Sequence, residues 1–178
     1  MRTQLATVVA FIALLFSVGA QAQEHVSVDW TLDRADGTPF TLSDNEGEKT
    51  TLILFWATWC PYCKALMPHI ESMVLEHGQD NFEVLAITIG EDGDPAKYLQ
   101  DKGYDFTLLP DGDQIAAKYG IRGTPGVLIV NQAGTTVFDL RRQPSQQLNT
   151  ENMKRRDVAA RRAPFWAAQI RQALDATL

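Results

Sequence analysis

The chain is predicted to fold as α/β, with a mixed central sheet covered by helices on both faces and a β-hairpin at its N-terminal side. Three observations predict this. Residues 50–56, Thr-Thr-Leu-Ile-Leu-Phe-Trp, form a near-continuous apolar run of strand length, the pattern of a strand buried on both sides. Strand-like and helix-like segments then succeed one another, as βαβ units do, before a final hairpin and helix. Near the N-terminus, Asp36-Gly37 is a turn signal between two short alternating runs. The 178 residues, 45% of them hydrophobic, suit one domain with a substantial core.

Each element can be justified in order. Residues 26–32 and 40–42 flank the Asp36-Gly37 turn as a hairpin. After the strand at 50–56 a helix is expected over 60–77, with Pro68 inside it removing one backbone hydrogen bond. Residues 82–89 read as a second buried strand. Gly90-Glu91-Asp92-Gly93-Asp94 is then a loop into a helix that opens at Pro95 and closes near Lys102. A short strand at 107–109 and a short helix at 113–119, ended by Gly120, follow. Residues 127–130 and 135–140 pair around Asn131-Gln132-Ala133-Gly134, and a last helix is expected from Pro164 with Phe165, Trp166, Ile170 and Leu174 on its apolar side.

Residues 1–22 read as a secretory leader. Arg2 precedes an apolar stretch over 5–18, and Gly19-Ala20-Gln21-Ala22 has the small-x-small pattern of a cleavage site. Cleavage after Ala22 leaves a domain of residues 23–178 and a periplasmic location. The apolar run is shorter than the ~20 residues of a spanning helix, and no cysteine near the cleavage site could carry a lipid. The formal net charge of −6 becomes −7 without Arg2, which argues against general nucleic-acid binding.

The only two cysteines lie in Trp59-Cys60-Pro61-Tyr62-Cys63-Lys64, between the apolar strand and the helix. Two intervening residues in a first helical turn bring both sulfurs within disulfide reach, so a mixed disulfide on one thiol can be resolved by the other. Cys60, at the helix tip, meets unpaired N–H groups and the positive end of the dipole; it is expected to face solvent and act as the nucleophile. Cys63 shares a helical face with Leu66, Met67, Ile70, Met73 and Val74, so it is expected to be the shielded, resolving thiol. Zinc needs about four ligands, and His25, His69 and His77 stand at no paired-ligand spacing. A static disulfide over so short a loop constrains little of the unfolded chain. Copper(I) suits two thiolates and stays open.

The run from Phe55 to Lys64, the helical Pro68, and Gly123-Thr124-Pro125 opening a late strand resemble the thioredoxin fold, specifically the exported TlpA/ResA-like thiol–disulfide oxidoreductases. The resemblance covers about residues 26–140 and the last helix. It implies that Pro125 is a cis-proline beside the dithiol, leaving the Thr124 backbone free to pair with an extended client segment. It also places Trp59 over the dithiol edge, and Trp59, Pro61, Tyr62, Thr124 and Pro125 together as the client contact. The implied partners are disulfide-containing client proteins and a membrane-embedded electron donor. The implied chemistry needs no cofactor or metal beyond the Cys60–Cys63 dithiol.

Departures from the family pattern matter. The buried acid that serves the resolving thiol in many relatives is replaced by Leu54 on the preceding strand and by Leu66 three residues after Cys63. A third family acid, directly after the cis-proline, is replaced by Gly126. Water, the client, Glu83 or Glu91 are the alternatives as proton acceptor. His69 lies six residues past Cys63, about 240° around an ideal helix, and is expected to face away. The Pro61-Tyr62 dipeptide resembles that of glutaredoxins, whose potentials lie at about −200 to −230 mV. The peroxiredoxin pattern Pro-x-x-x-Thr-x-x-Cys is absent around Cys60.

A basic segment at about 141–163 is a further departure. Arg141, Arg142, Lys154, Arg155, Arg156, Arg161 and Arg162 face only Glu151 and Asp157, which leaves the rest of the mature chain near −12. The segment reads either as a solvated polar stretch or as a docking surface, from Arg141 to Arg162, for an acidic partner or an anionic membrane. The leading expectation is an exported thiol–disulfide oxidoreductase that mainly reduces protein disulfides. An oxidase or isomerase running the same exchange and a copper(I)-handling metallochaperone are the alternatives.

Overall fold

The computed structural model describes residues 25–178. The expected leader, its cleavage after Ala22 and the start of the mature domain lie outside the described residues. Twelve strands and helices follow: β1 (His25–Val26), β2 (Thr31–Asp33), β3 (Pro39–Thr41), β4 (Thr50–Trp56), α1 (Pro61–His77), β5 (Phe82–Thr88), α2 (Pro95–Lys102), β6 (Thr107–Leu109), α3 (Asp113–Lys118), β7 (Gly126–Val130), β8 (Thr135–Asp139) and α4 (Arg155–Asp175), with 3₁₀ turns at Leu42–Asn45 and Leu140–Arg142. The main sheet has six strands in the order β1-β8-β7-β4-β5-β6. Strands β4, β5 and β6 run parallel, and β7, β8 and β1 add antiparallel pairs.

All seven residues of β4 are buried, as its unbroken apolar run requires of a central strand. Side chains alternate between two cores. Leu52, Leu54 and Trp56 join α1, Leu99 of α2, and Ala167, Ile170 and Leu174 of α4 on one face. Ile53 and Phe55 join Ile115 and Ala116 of α3, together with Trp30, Phe40 and Leu42, on the other. The mixed sheet with helices on both faces is therefore present.

Two boundaries differ from expectation. Residues 26–32 are not one strand: β1 pairs with β8 at the edge of the main sheet, whereas β2 pairs with β3 in a separate two-stranded sheet. The Asp36-Gly37 turn between β2 and β3 is where it was expected, with Gly37 at φ 83. The last helix begins at Arg155, nine residues before Pro164. Val158, Ala159 and Ala163 are buried and continue the stripe of Ala167, Ile170 and Leu174 backwards, so packing outweighs the one backbone bond that Pro164 removes. Pro164 itself is exposed. Of the basic segment, Arg155, Arg156, Arg161 and Arg162 thus lie in the first turns of α4, while Arg141, Arg142 and Lys154 precede the helix.

Candidate active site

Register assembles the site at the C-terminal end of β4. Phe55 lies opposite Gly126, the first residue of antiparallel β7, so Thr124 and Pro125 come up beside the turn that follows Trp56. Trp56 lies beside Thr88 of parallel β5, so the loop from Gly90 arrives at the same end. The Thr124–Pro125 peptide is cis, as the resemblance implied. Cys60 caps α1 and Pro61 occupies its first turn, where a missing N–H costs nothing.

Both cysteines are free thiols, and both are buried. Burial of Cys63 was expected. Cys60, expected to face solvent, is only 1% exposed. The reason is capping: in an extended N-cap conformation its sulfur folds back over the helix start and accepts the Cys63 N–H at 3.1 Å. The Cys63 thiol hydrogen-bonded to Cys60 is the main cause that brings the Cys60 pKa down to about 6. Burial opposes it, and the Thr124 side chain and the N–H groups of Cys63 and Tyr62 add to it. Burial, first of all, pushes the Cys63 thiol far up, and the hydrogen bond and charge of Cys60 push it further. One sulfur is thus poised as thiolate and its neighbour as thiol. Thr124 acts here through its side chain, a contribution that the motif itself does not announce.

No carboxylate takes the family's position near Cys63. Leu54 and Leu66 are fully buried in the core that holds both cysteines. Gly126 has no room for a side chain: a Cβ there would lie 2.9 Å from two Ile121 carbons and 3.3 Å from the Phe55 Cβ. Glu83 pairs with Thr51 near the start of β4, five residues and about 17 Å along the strand from Trp56, and is bound by Asn45 and Thr107. It is thereby removed as a proton acceptor. Glu91 does reach the site, but its oxygens accept from the Thr58 N–H and hydroxyl and from the N–H groups of Asp92 and Gly93. Burial alone would raise its pKa; these bonds, led by the Thr58 hydroxyl, lower it. Glu91 therefore stands as a fixed anion holding the segment before Cys60. An acid just after a strand end, beside Gly90, was the only sequence signal for it.

The predicted client contacts gather around the dithiol. Trp59 is 54% exposed and is held outward by its indole N–H, which donates to the Gly90 carbonyl at 2.8 Å. Pro61, Tyr62 and Thr124 are half-buried. The Tyr62 ring meets Trp166 of α4, with centroids 6.0 Å apart, and the Arg162 guanidinium lies 6.0 Å over the same indole. The sequence placed Trp166 in the core of the last helix, and nothing in its spacing joined it to Tyr62. Among the described residues, no three His, Cys, Asp or Glu side chains gather as a metal site.

A dithiol at the helix tip of this mixed sheet, facing a cis-proline, defines a thiol–disulfide oxidoreductase of the thioredoxin fold. The chain belongs to the AhpC/TSA family, which matches residues 19–139. A curated relative, the thiol–disulfide oxidoreductase ResA of Halalkalibacterium halodurans, is 31% identical over 120 residues, covering 66% of this chain and 67% of the relative. Another, the thiol:disulfide interchange protein HelX of Rhodobacter capsulatus, is 29% identical over 99 residues, 54% of each chain. The chain thus spans between about half and two thirds of the length of these relatives. Among solved structures, a candidate thiol:disulfide interchange protein DsbE from Chlorobium tepidum has a TM-score of 0.58 at 27% identity, covering 65% of this chain and 82% of that one.

Proposed function

We propose that this protein is an exported thiol–disulfide oxidoreductase that mainly reduces disulfides of client proteins through Cys60-Pro61-Tyr62-Cys63. The observation that supports dithiol exchange, whichever its direction, is the placement of two adjacent buried thiols at the tip of α1, the Cys60 sulfur accepting the Cys63 N–H, with Cys60 drawn down to about 6 and Cys63 pushed up.

The Cys60 thiolate attacks one sulfur of a client disulfide. A mixed disulfide forms, and the second client sulfur leaves as thiolate. Cys63 gives up its proton, attacks the Cys60 sulfur and frees the first client sulfur. The client gains two electrons while Cys60–Cys63 is oxidised; of the two protons its thiols take up, one is the Cys63 proton and the other comes from solvent, to which Cys60 gave its own on ionising. With no carboxylate beside Cys63 among the described residues, water or the departing client thiolate takes its proton; the latter is basic and stands at the reacting sulfurs. The exposed Trp59 with Pro61, Tyr62 and the Thr124–Pro125 corner forms the face that meets the client, whose extended backbone pairs with Thr124. A membrane-embedded donor returns the electrons, and an acidic partner meets the basic segment. Cleavage after Ala22 would release the domain to the periplasm; among the described residues, no helix is long and apolar enough to cross a membrane.

An oxidase or isomerase direction is the second reading, favoured by the depressed Cys60 itself. A stabilised thiolate favours the reduced form and so raises the potential. Cys63→Ser should stall the covalent intermediate, and mass spectrometry of trapped proteins would identify clients. Insulin reduction with dithiothreitol, set beside oxidation of a reduced client, fixes the direction. Equilibration with glutathione should place the potential between those of thioredoxin and DsbA; a value below about −260 mV contradicts this.

A further inference from the structure

The basic turns of α4 stand beside the dithiol. Tyr62 meets Trp166, Glu76 and Ser72 meet Arg171, and His77 meets Asp175, so α1 and α4 run in the same direction with Trp166 level with the first turn of α1. Eleven residues of α4 precede Trp166 and carry the helix about 16 Å past that level. Arg155, Arg162 and Trp166 lie within about 20° of one line on the helix surface. The row Arg155–Arg162–Trp166–Tyr62 therefore leads from the start of α4 into the Cys-Pro-Tyr-Cys loop. Lys154, Arg155, Arg156 and Arg161 are exposed.

The charges here are available. Among the described residues, Arg155, Arg161 and Arg162 have no carboxylate within 4.0 Å, and Arg156 has only the exposed Asp157 at 3.5 Å. Arg141 and Arg142 drop out of the surface, because both are paired with the buried Asp139, Arg141 through two side-chain bonds at 2.9 and 2.6 Å. The rest of the chain carries net negative charge, so the start of α4 is where positive charge is most concentrated, and an acidic chain drawn there is oriented as well as attracted.

We infer that the row from Arg155 to Tyr62 is a docking track for an acidic stretch of the client polypeptide flanking its reducible cysteine. This rests on the oxidoreductase reading above and adds a substrate class to it. An extended chain covers the 16 Å in about five residues, so the acidic run belongs several residues from the cysteine that Cys60 attacks.

The test uses two synthetic peptides with one identical intramolecular disulfide, flanked on both sides by four glutamates or by four lysines. The reduced mature protein reacts with each in a single turnover, and the readout is the ratio of the two rates, from which any loss of active protein cancels. At about 20 mM salt the acidic peptide is expected to react at least ~10-fold faster, and the ratio should fall towards one at about 0.5 M. R155E/R162E should abolish or invert the ratio, whereas R155K/R162K should keep it. A ratio near one in the native protein, or one that R155E/R162E leaves intact, overturns the inference. So does a ratio near one combined with Arg155- and Arg162-dependent binding to phosphatidylglycerol vesicles, which assigns the surface to lipid. Failure to reduce either peptide overturns the oxidoreductase reading along with it.

Discussion

Thr58 donates both its backbone N–H, at 2.7 Å, and its hydroxyl, at 2.5 Å, to the two oxygens of the Glu91 carboxylate. The N–H groups of Asp92 and Gly93 also point at this carboxylate, each at 2.9 Å. Gly93 permits the approach, since a Cβ there would run into the Thr58 hydroxyl. One side chain thus ties the loop after β5 to the segment that delivers Cys60 to the helix tip. Glu91 is a positioning residue, and its removal leaves four donors to find water.

Glu91→Ala is expected to cost about 2 kcal/mol of stability in urea denaturation, and Glu91→Gln, which keeps one acceptor, about 1 kcal/mol. The sign of the pH dependence follows from the lowered pKa. The charge stabilises the fold fully above the ordinary value of 4.5 and ceases to do so as pH falls through the lower folded value. The gap between native protein and Glu91→Gln should therefore be constant at neutral pH and close on acidification. A gap that widens in acid would contradict this arrangement.

The reduced protein should react with iodoacetamide at Cys60 along a titration centred near 6, with about nine tenths of the thiol ionised at pH 7. Cys63 should resist alkylation until strongly alkaline pH. Cys63→Ala removes the hydrogen bond that contributes most, and the Cys60 midpoint should climb. A depressed thiol pKa adds stability in full above the ordinary 9.0, and that stability is lost as pH falls towards 6. The reduced form should accordingly gain stability between pH 6 and 9, and the oxidised form, with no thiol to titrate, should not.

What the sequence revealed and what it hid divide along physical lines. Hydrophobic run length showed β4, the stripe from Cys63 to Val74 showed α1, and Pro95 after the glycine-bearing loop showed α2, because each pattern records burial or a local backbone need. The burial of Cys60 was hidden because it depends on which way an N-cap side chain turns, a choice made by the orphan Cys63 N–H. The start of α4 was misread because Pro164 is a start signal on local grounds, while Val158 and Ala159 hold the earlier turns through contacts distant in sequence. The ties of Glu91 to Thr58 and of Trp166 to Tyr62 arise from strand register and helix packing, and neither leaves a periodic trace.

Gly126 should be nearly irreplaceable. Gly126→Ala places a methyl 2.9 Å from Ile121, closer than real contacts allow, and is expected to cost about 1–3 kcal/mol. Shortening the neighbour in Gly126→Ala/Ile121→Val should recover part of that loss if the clash is its cause. Additive losses in the double variant would show that Gly126 is needed for its backbone alone. An acid at this position, as some relatives carry, would meet the same wall before it could reach Cys63.

The contact between Tyr62 and Trp166 joins the dithiol loop to α4, and a double-mutant cycle isolates it. The two half-buried rings, tilted at 47° with centroids 6.0 Å apart, should contribute about 0.5–1.5 kcal/mol beyond their separate burial. Tyr62→Ala and Trp166→Ala, measured singly and together by urea denaturation, should therefore be less destabilising in combination than their sum by that amount. Trp166→Phe should retain most of the coupling, because a tilted ring remains. Strict additivity would mean that the loop and the helix are energetically independent, and α4 could then present its arginines to a client without steadying the loop that receives it.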